Sequence, residues 1–311
     1  MVTANDLVKT YGKKQEVLAV DKVSFSINEG ELFGLIGPDG AGKTSIFRML
    51  TTLLLPDGGS AMVDGFDIVK DYKAIRNTVG YMPGKFSLYP DLTVEENLNF
   101  FATVFNTTIN ENYHLIEDIY VQLAPFKKRR AGKLSGGMKQ KLALCCALVH
   151  KPTVLFLDEP TTGVDPVSRK EFWEMLKRLK EQAITILVST PYMDEATLCD
   201  RIALMQNGKI LSIDTPEKIV ASYSGDLYAI KSERMHPLLK SLGNYEKVIN
   251  SYAFGEFAHV LVKTGTEETE PLIINDLSNY LLKEGFKEVI VKKTKPSIED
   301  CFIKLLAQDG N

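Results

Sequence analysis

The stretch Gly37-Pro38-Asp39-Gly40-Ala41-Gly42-Lys43-Thr44 matches the pattern G-x-x-x-x-G-K-[ST] at every fixed position. Upstream, Glu31-Leu32-Phe33-Gly34-Leu35-Ile36 is a short apolar run that reads as a buried strand. Downstream, Ser45-Ile46-Phe47-Arg48-Met49-Leu50 opens a helix with an apolar face. A strand, a glycine loop and a helix N-terminus make an anion site. The glycines let the backbone turn its N–H groups inward around phosphate oxygens, and the helix dipole adds positive potential. Lys43 is placed to reach β- and γ-phosphates, and the Thr44 hydroxyl to ligate Mg²⁺.

Composition sets the outer limits. A chain of 311 residues can bury one large core and a smaller second one. The formal net charge of −3 gives no global basic field, so no nucleic-acid partner is expected. Cys145, Cys146, Cys199 and Cys301 show no C-x-x-C spacing, which fits a reducing compartment and packing roles. Met1 to Thr10 has no basic segment followed by an apolar core, so no signal peptide is expected. The longest apolar stretch, Leu142 to Val149, is too short to span a bilayer. A role at a membrane would need spans from another subunit.

Val23, Phe25 and Ile27 alternate with polar residues, the pattern of a half-buried antiparallel strand. Tyr11 lies upstream; its ring either stacks on an adenine base or ends a strand in solvent, and spacing alone does not choose. Ala61–Val63 and Val79–Tyr81 read as short strands around a helix over Asp71–Asn77. Pro83-Gly84 suits the centre of a type II turn. From Thr93 to about Lys128 the pattern is helical, opened by a capping box of Thr93 and Glu96, with Leu98, Phe101, Ala102 and Phe105 on one face. Lys127-Lys128-Arg129-Arg130 reads as a solvated helix end.

Leu134-Ser135-Gly136-Gly137-Met138 leads into a helix over Lys139–Leu148. Ser135 is a good N-cap, and the glycines leave N–H groups open at a second helix N-terminus. Two such anion-binding ends in one chain make sense if they serve different nucleotides across a dimer. Thr153 to Glu159 is an apolar strand ending in two carboxylates. In phosphate-loop NTPases a strand ending in Asp holds Mg²⁺ through that carboxylate, a role Asp158 fits. Glu159 is placed to act as general base on the attacking water.

These motifs, followed by Thr162-Gly163-Val164-Asp165, resemble in order and spacing the ATP-binding subunits of ABC transporters over about the first 220 residues. Leu134 to Met138 resembles their signature motif, with Met where Gln is usual, and Thr162 to Asp165 resembles their D-loop. Tyr11 sits where that family has its adenine-stacking aromatic. Pro38-Asp39, Phe86-Ser87-Leu88-Tyr89 and, leaving out position 191, Ser189-Thr190 with Tyr192-Met193-Asp194-Glu195-Ala196 look most like the daunorubicin-resistance type, which drives ABC-2-type exporters.

The resemblance implies an α/β fold: a P-loop NTPase domain over 1–224 with a helical insertion at about 90–150, then a small domain over 225–311. It implies ATP with Mg²⁺ on Thr44 and Asp158. The nucleotide contacts would come from Tyr11, from Gly37 through Ser45, and from Ser135, Gly136, Gly137, Met138 and Asp165. It further implies a head-to-tail pair of ATP-binding domains, an ABC-2-type permease partner docking near Phe86–Thr93, and a place on the cytoplasmic face of the membrane.

Two departures stand out. Gly84 replaces the usual Gln after Gly80-Tyr81-Met82-Pro83, and Pro191 replaces the usual switch histidine. Proline donates from neither side chain nor backbone, though it suits the first residue of a following helix. His114, His150, His236 and His259 read as structural or surface residues. The phosphate-loop half (Tyr11, Lys43, Thr44, Asp158, Glu159) is thus equipped to bind MgATP but lacks two groups that help hydrolyse it. A heterodimer with a complete ATPase subunit is therefore favoured over a homodimer. The alternatives are a nucleotide-binding regulatory subunit with little hydrolysis, and a soluble ABC ATPase of DNA repair or translation. The absence of a long coiled-coil insertion and the acidic balance count against the last.

Beyond the first domain, Asn207-Gly208 marks a hairpin between Ile202–Met205 and Ile210–Ile213. From Leu227 the order strand, helix, strand, strand, helix, strand suggests a ferredoxin-like unit, with strands expected at Tyr245–Ser251 and Lys287–Val291. Lys295 to Phe302 leads into a closing helix, and nothing in this tail suggests catalysis.

Overall fold

Leu32–Ile36, Val154–Asp158 and Thr185–Thr190 are buried at every position, as parallel strands covered on both faces must be. In the computed structural model, which describes residues 1–12, 16–85, 87–263 and 269–309, they are neighbours in one six-stranded sheet. The chain divides into two units, Met1–Glu217 and Lys218–Asn311.

The first unit contains the strands β1 (Val2–Tyr11), β2 (Val17–Ile27), β3 (Leu32–Ile36), β4 (Gly58–Val63), β5 (Phe66–Asp67), β6 (Val79–Met82), β7 (Val154–Asp158), β8 (Thr185–Thr190), β9 (Arg201–Gln206) and β10 (Lys209–Asp214). Its helices are α1 (Lys43–Leu50), α2 (Tyr72–Thr78), α3 (Val94–Val104), α4 (Tyr113–Leu123), α5 (Gly136–Leu148) and α6 (Pro166–Glu181), and a short α7 (Pro216–Ala221) follows. The central sheet runs β10-β9-β3-β8-β7-β6, parallel apart from the β9–β10 hairpin. A second, antiparallel sheet runs β2-β1-β4-β5.

Val23, Phe25 and Ile27 turn into the core between the sheets, where Phe25 stacks on Phe33 with ring centroids 5.8 Å apart. Helix α1 buries Ile46, Phe47, Met49 and Leu50, and Phe47 meets Phe156 of β7 edge-on. In the register, Ile36 faces Thr190 and Asp158 faces Ser189. The carboxyl ends of β3, β8 and β7 therefore converge, and the crevice beyond such ends is where parallel α/β sheets bind ligands.

The capping box forms as expected: Thr93 accepts from the Glu96 N–H, and the Glu96 carboxylate accepts from the Thr93 N–H. The helical run does not continue unbroken to Lys128. Asn106 takes a left-handed φ of 54°, α3 ends at Val104, and α4 begins only at Tyr113. Pro83-Gly84 does not form the expected type II turn, because Gly84 does not adopt the positive φ that its second central position needs. Pro191 does not open a helix either; the following 3₁₀ segment starts at Met193. Asn207 and Gly208 both have positive φ (49° and 78°), the conformation of a type I′ hairpin.

The second unit has β11 (Asp226–Lys231), α8 (Met235–Gly243), β12 (Val248–Phe254), β13 (Phe257–Val262), α9 (Glu270–Lys283), β14 (Ile290–Thr294) and α10 (Ile298–Asp309). Its sheet runs β12-β13-β11-β14 with every pair antiparallel, a split β-α-β arrangement. Leu238 and Leu242 of α8 and Ile273, Leu277 and Leu281 of α9 form one core with Tyr228, Ile230 and Val260 of the sheet. β12 and β14 start three residues later than the sequence pattern suggests. Tyr245 is still in the turn that closes α8, and Glu288 has a positive φ of 52° just before β14. Among the described residues no helix is long and apolar enough to cross a membrane.

Candidate nucleotide-binding site

The glycine loop closes on itself between β3 and α1. The Ala41 N–H donates to the Pro38 carbonyl (3.2 Å), and the Gly37 N–H donates to the Thr190 carbonyl at the end of β8 (3.3 Å). A Cβ on Gly37 would lie 2.2 Å from the Met205 carbonyl oxygen, and one on Gly42 equally close to that of Ala19. Gly42 also takes φ 104°, so both the backbone form and the lack of space demand glycine there. Pro38 is half-buried, while Asp39 and Gly40 face solvent.

Lys43 is buried, and its ammonium donates to the carbonyls of Gly37 (2.7 Å) and Pro38 (3.0 Å). It also pairs with Glu159 Oε1 at 3.2 Å. Thr44 Oγ1 donates to Asp158 Oδ1 (3.2 Å), as does Ser189 Oγ (2.7 Å). Tyr11, at the end of β1, shares a 3.1 Å hydrogen bond between its hydroxyl and Ser45 Oγ. Lys43, Thr44, Ser45, Asp158, Glu159 and Tyr11 are thus brought together around one loop. A hydroxyl and a carboxylate oxygen meeting beside a buried ammonium suit a hard divalent cation and the phosphates it accompanies.

Glu159 is held unusually. Its φ is +51°, a left-handed conformation that costs a non-glycine residue energy, and its N–H donates to Ser189 Oγ (3.0 Å) and O (3.1 Å). Tyr81 lies behind Asp158. Burial, with the Asp158 charge adding to it, pushes the phenol up to about 12, so it stays neutral. Gly84 is exposed and abuts the acidic pair; a Cβ there would stand 3.0 Å from the Asp158 carbonyl oxygen.

The signature residues stand apart from this cluster and pack on the segment before α6. Ser135 caps α5, accepting from the Met138 N–H (3.3 Å). Gly137 lies against Ser168, where a Cβ would come within 2.7 Å of the hydroxyl, and Gly136 lies near the Gly163 carbonyl. Asp165 caps α6 by accepting from the Ser168 N–H (3.0 Å), which holds its carboxyl below the usual range. Ser135, Gly136 and Asp165 are all exposed. This face is open to a second molecule or domain.

The sequence reading missed Ser189, which joins Asp158 to the Glu159 backbone, and Thr190, which receives the loop's first N–H. Their place in Ser189-Thr190, directly before the switch position, was the available signal. Of the docking stretch, Phe86 lies outside the described residues. Tyr89 is exposed beside Phe100 (ring centroids 4.8 Å apart), and the buried Asn97 amide holds the backbone there by donating to Tyr89 O and Thr93 O. His150 is structural: its ring stacks on Phe105 at 3.7 Å and bonds Val79 O, and burial holds its pKa down.

Comparison with known proteins places this geometry. Residues 20–162 match a family model described as ABC transporter. "Daunorubicin resistance ATP-binding protein DrrA2" of Streptomyces coeruleorubidus is 32% identical over 98% of this chain and 94% of its own. "Probable multidrug ABC transporter ATP-binding protein YbhF" of Escherichia coli is 40% identical over the whole of this chain, which spans only about half (53%) of that relative's length. A solved "ATP binding subunit of ABC transporter" is 27% identical, with TM-score 0.64 over 71% of this chain and 92% of its own. Identity that extends over nearly the full length of both chains, on this loop and this fold, shows that the chain belongs to the ATP-binding proteins of ABC transporters, alongside those of the daunorubicin-resistance type.

Proposed function

We propose that the chain binds MgATP at its phosphate loop and powers an ABC-2-type exporter from the cytoplasmic face of the membrane. The observation that carries this reading is the convergence of Lys43, Thr44, Asp158 and Glu159 on one loop. Loop N–H groups and the α1 terminus cradle the phosphates, and Tyr11, fixed by Ser45, offers its ring to the adenine. Thr44 and Asp158 would hold Mg²⁺, which would supply charge to neutralise the phosphates. The γ-phosphate oxygens compete with Glu159 for the Lys43 ammonium. As Lys43 turns to them, the Glu159 carboxylate is released to take a proton from the attacking water.

Ser135, Gly136 and Asp165 face outward, so each nucleotide is covered by a second ATP-binding unit. Gly84 and Pro191 leave this loop's site without two polar side chains. We favour a complete, different unit as the partner, with this chain's own site binding ATP and turning over slowly. In the limiting case the chain is a catalytically weak nucleotide-binding subunit that acts mainly through that partner. The permease docks on Phe86–Thr93, of which Ser87 and Leu88 border an apolar groove of about 270 Å³ lined also by Tyr81, Met82, Pro83, Phe101 and Cys146.

The test is MgATP binding and steady-state ATPase of the purified chain, with Lys43→Ala as control. Binding that the control loses supports the reading. An unaltered chain that binds no MgATP rejects it.

A further inference from the structure

Glu195 is a carboxylate sealed from water, 2% exposed, and the nucleotide reading gives it no task. Its Oε2 accepts from Thr161 Oγ1 (3.1 Å), just past Asp158-Glu159, and from Thr190 Oγ1 at the end of β8. Its Oε1 takes Arg169 of α6 through Nε (3.1 Å) and the outer guanidinium nitrogen (3.0 Å). The Arg169 guanidinium also lies 4.1 Å over the Tyr192 ring. One buried charge therefore ties the ends of β7 and β8 to α6.

Both ends of this tie reach functional elements. Thr190 accepts the Gly37 N–H, the first donor of the phosphate loop. Ser168, next to Arg169, packs on Gly137 of the signature turn. A buried carboxylate tolerates no gap from its cation and donors, because each lost partner leaves an uncompensated polar group. A shift of the β8 end is then passed to α6 rather than absorbed in place, since packed interiors are stiff.

We propose that the Glu195–Arg169 pair is a positioning device, carrying the state of the phosphate loop to α6 and to the Gly136-Gly137 turn. It lets nucleotide at one site set the face offered to the other. This rests on the nucleotide reading above.

The protein carries its own reporter. Trp173 is the single tryptophan, is 3% exposed, and sits one turn after Arg169 on α6. The experiment measures affinity with a fluorescent ATP analogue and, separately, the Trp173 emission change on adding MgATP. In the unaltered chain both are expected. Glu195→Gln and Arg169→Met are expected to keep the analogue's affinity and lose the emission change, and Arg169→Lys to regain part of it. Arg169→Lys keeps a cation beside the buried carboxylate, so it remains informative if Glu195→Gln or Arg169→Met fails to fold. Variants that keep the emission change, variants that lose affinity along with it, or an unaltered chain that binds without an emission change would each overturn the proposal. Absence of analogue binding to the unaltered chain would instead overturn the nucleotide reading, and this device with it.

Discussion

Lys43 Nζ and Glu159 Oε1 stand 3.2 Å apart, so the cation of the phosphate loop and the acid just past β7 are each other's partners. The pair is partly buried, with the Lys43 side chain 3% and the Glu159 side chain 23% exposed. On the function proposed above, a phosphate that draws Lys43 away would unmask the Glu159 carboxylate. That proposal links binding and activation through one contact.

In the assembled transporter, Ser135→Ala is expected to lower ATP turnover more than Glu159→Gln. If the partner is the complete unit proposed above, the first damages the face offered to that partner's site, and it also removes a helix cap of about 1 kcal/mol. The second would damage a site that already carries Gly84 and Pro191 in place of the usual Gln and switch histidine. ATPase assays of the complex give the ranking, and the reverse order would reject unequal sites.

Gly84→Gln combined with Pro191→His is expected to raise turnover at this chain's own site. A transition-state donor is typically worth about 10²–10³ in rate. Gly84 lacks a positive φ, so its backbone conformation suits a side chain, and the 3.0 Å approach of a Cβ to Asp158 O requires that backbone to give by a few tenths of an ångström. Phosphate release by the double variant checks this; unchanged turnover would show that these positions do not limit the site.

The second unit should lose stability in acid through Asp300. Burial pushes its carboxyl up, but donors from Ser297, Tyr252 and His259 outweigh that and hold it below the ordinary value. A depressed carboxyl stabilises the fold above the unfolded value of about 3.9, and the contribution is lost as pH falls through the folded value. Asp300→Asn should therefore lower the melting temperature near neutral pH, and its deficit relative to the parent should shrink on acidification. A deficit constant with pH would rule out the charge as the cause.

Much of this was legible in local pattern. The glycine loop, the Thr93–Glu96 capping box, the Asn207-Gly208 hairpin and the carboxylates ending β7 each depend on residues a few positions apart. Each showed in the chain because backbone conformation and neighbouring side chains define it. Where local signals competed, they misled. Pro83-Gly84 looked like a type II turn, yet Gly84 adopts no positive φ. The helical pattern to Lys128 hid the left-handed Asn106 that splits it.

By itself the sequence determined the loop, the acids, the family and the two departures at Gly84 and Pro191, since these are matters of residue identity and spacing. Only the tertiary structure decided that Ser189 bridges Asp158 and Glu159, that Glu195 is buried among Thr161, Thr190 and Arg169, and that Asp300 is held by Tyr252 and His259. A carboxylate's role depends on what surrounds it once water is gone. Those neighbours come from strands and helices far apart in the chain, which meet only when the sheet and its helices pack.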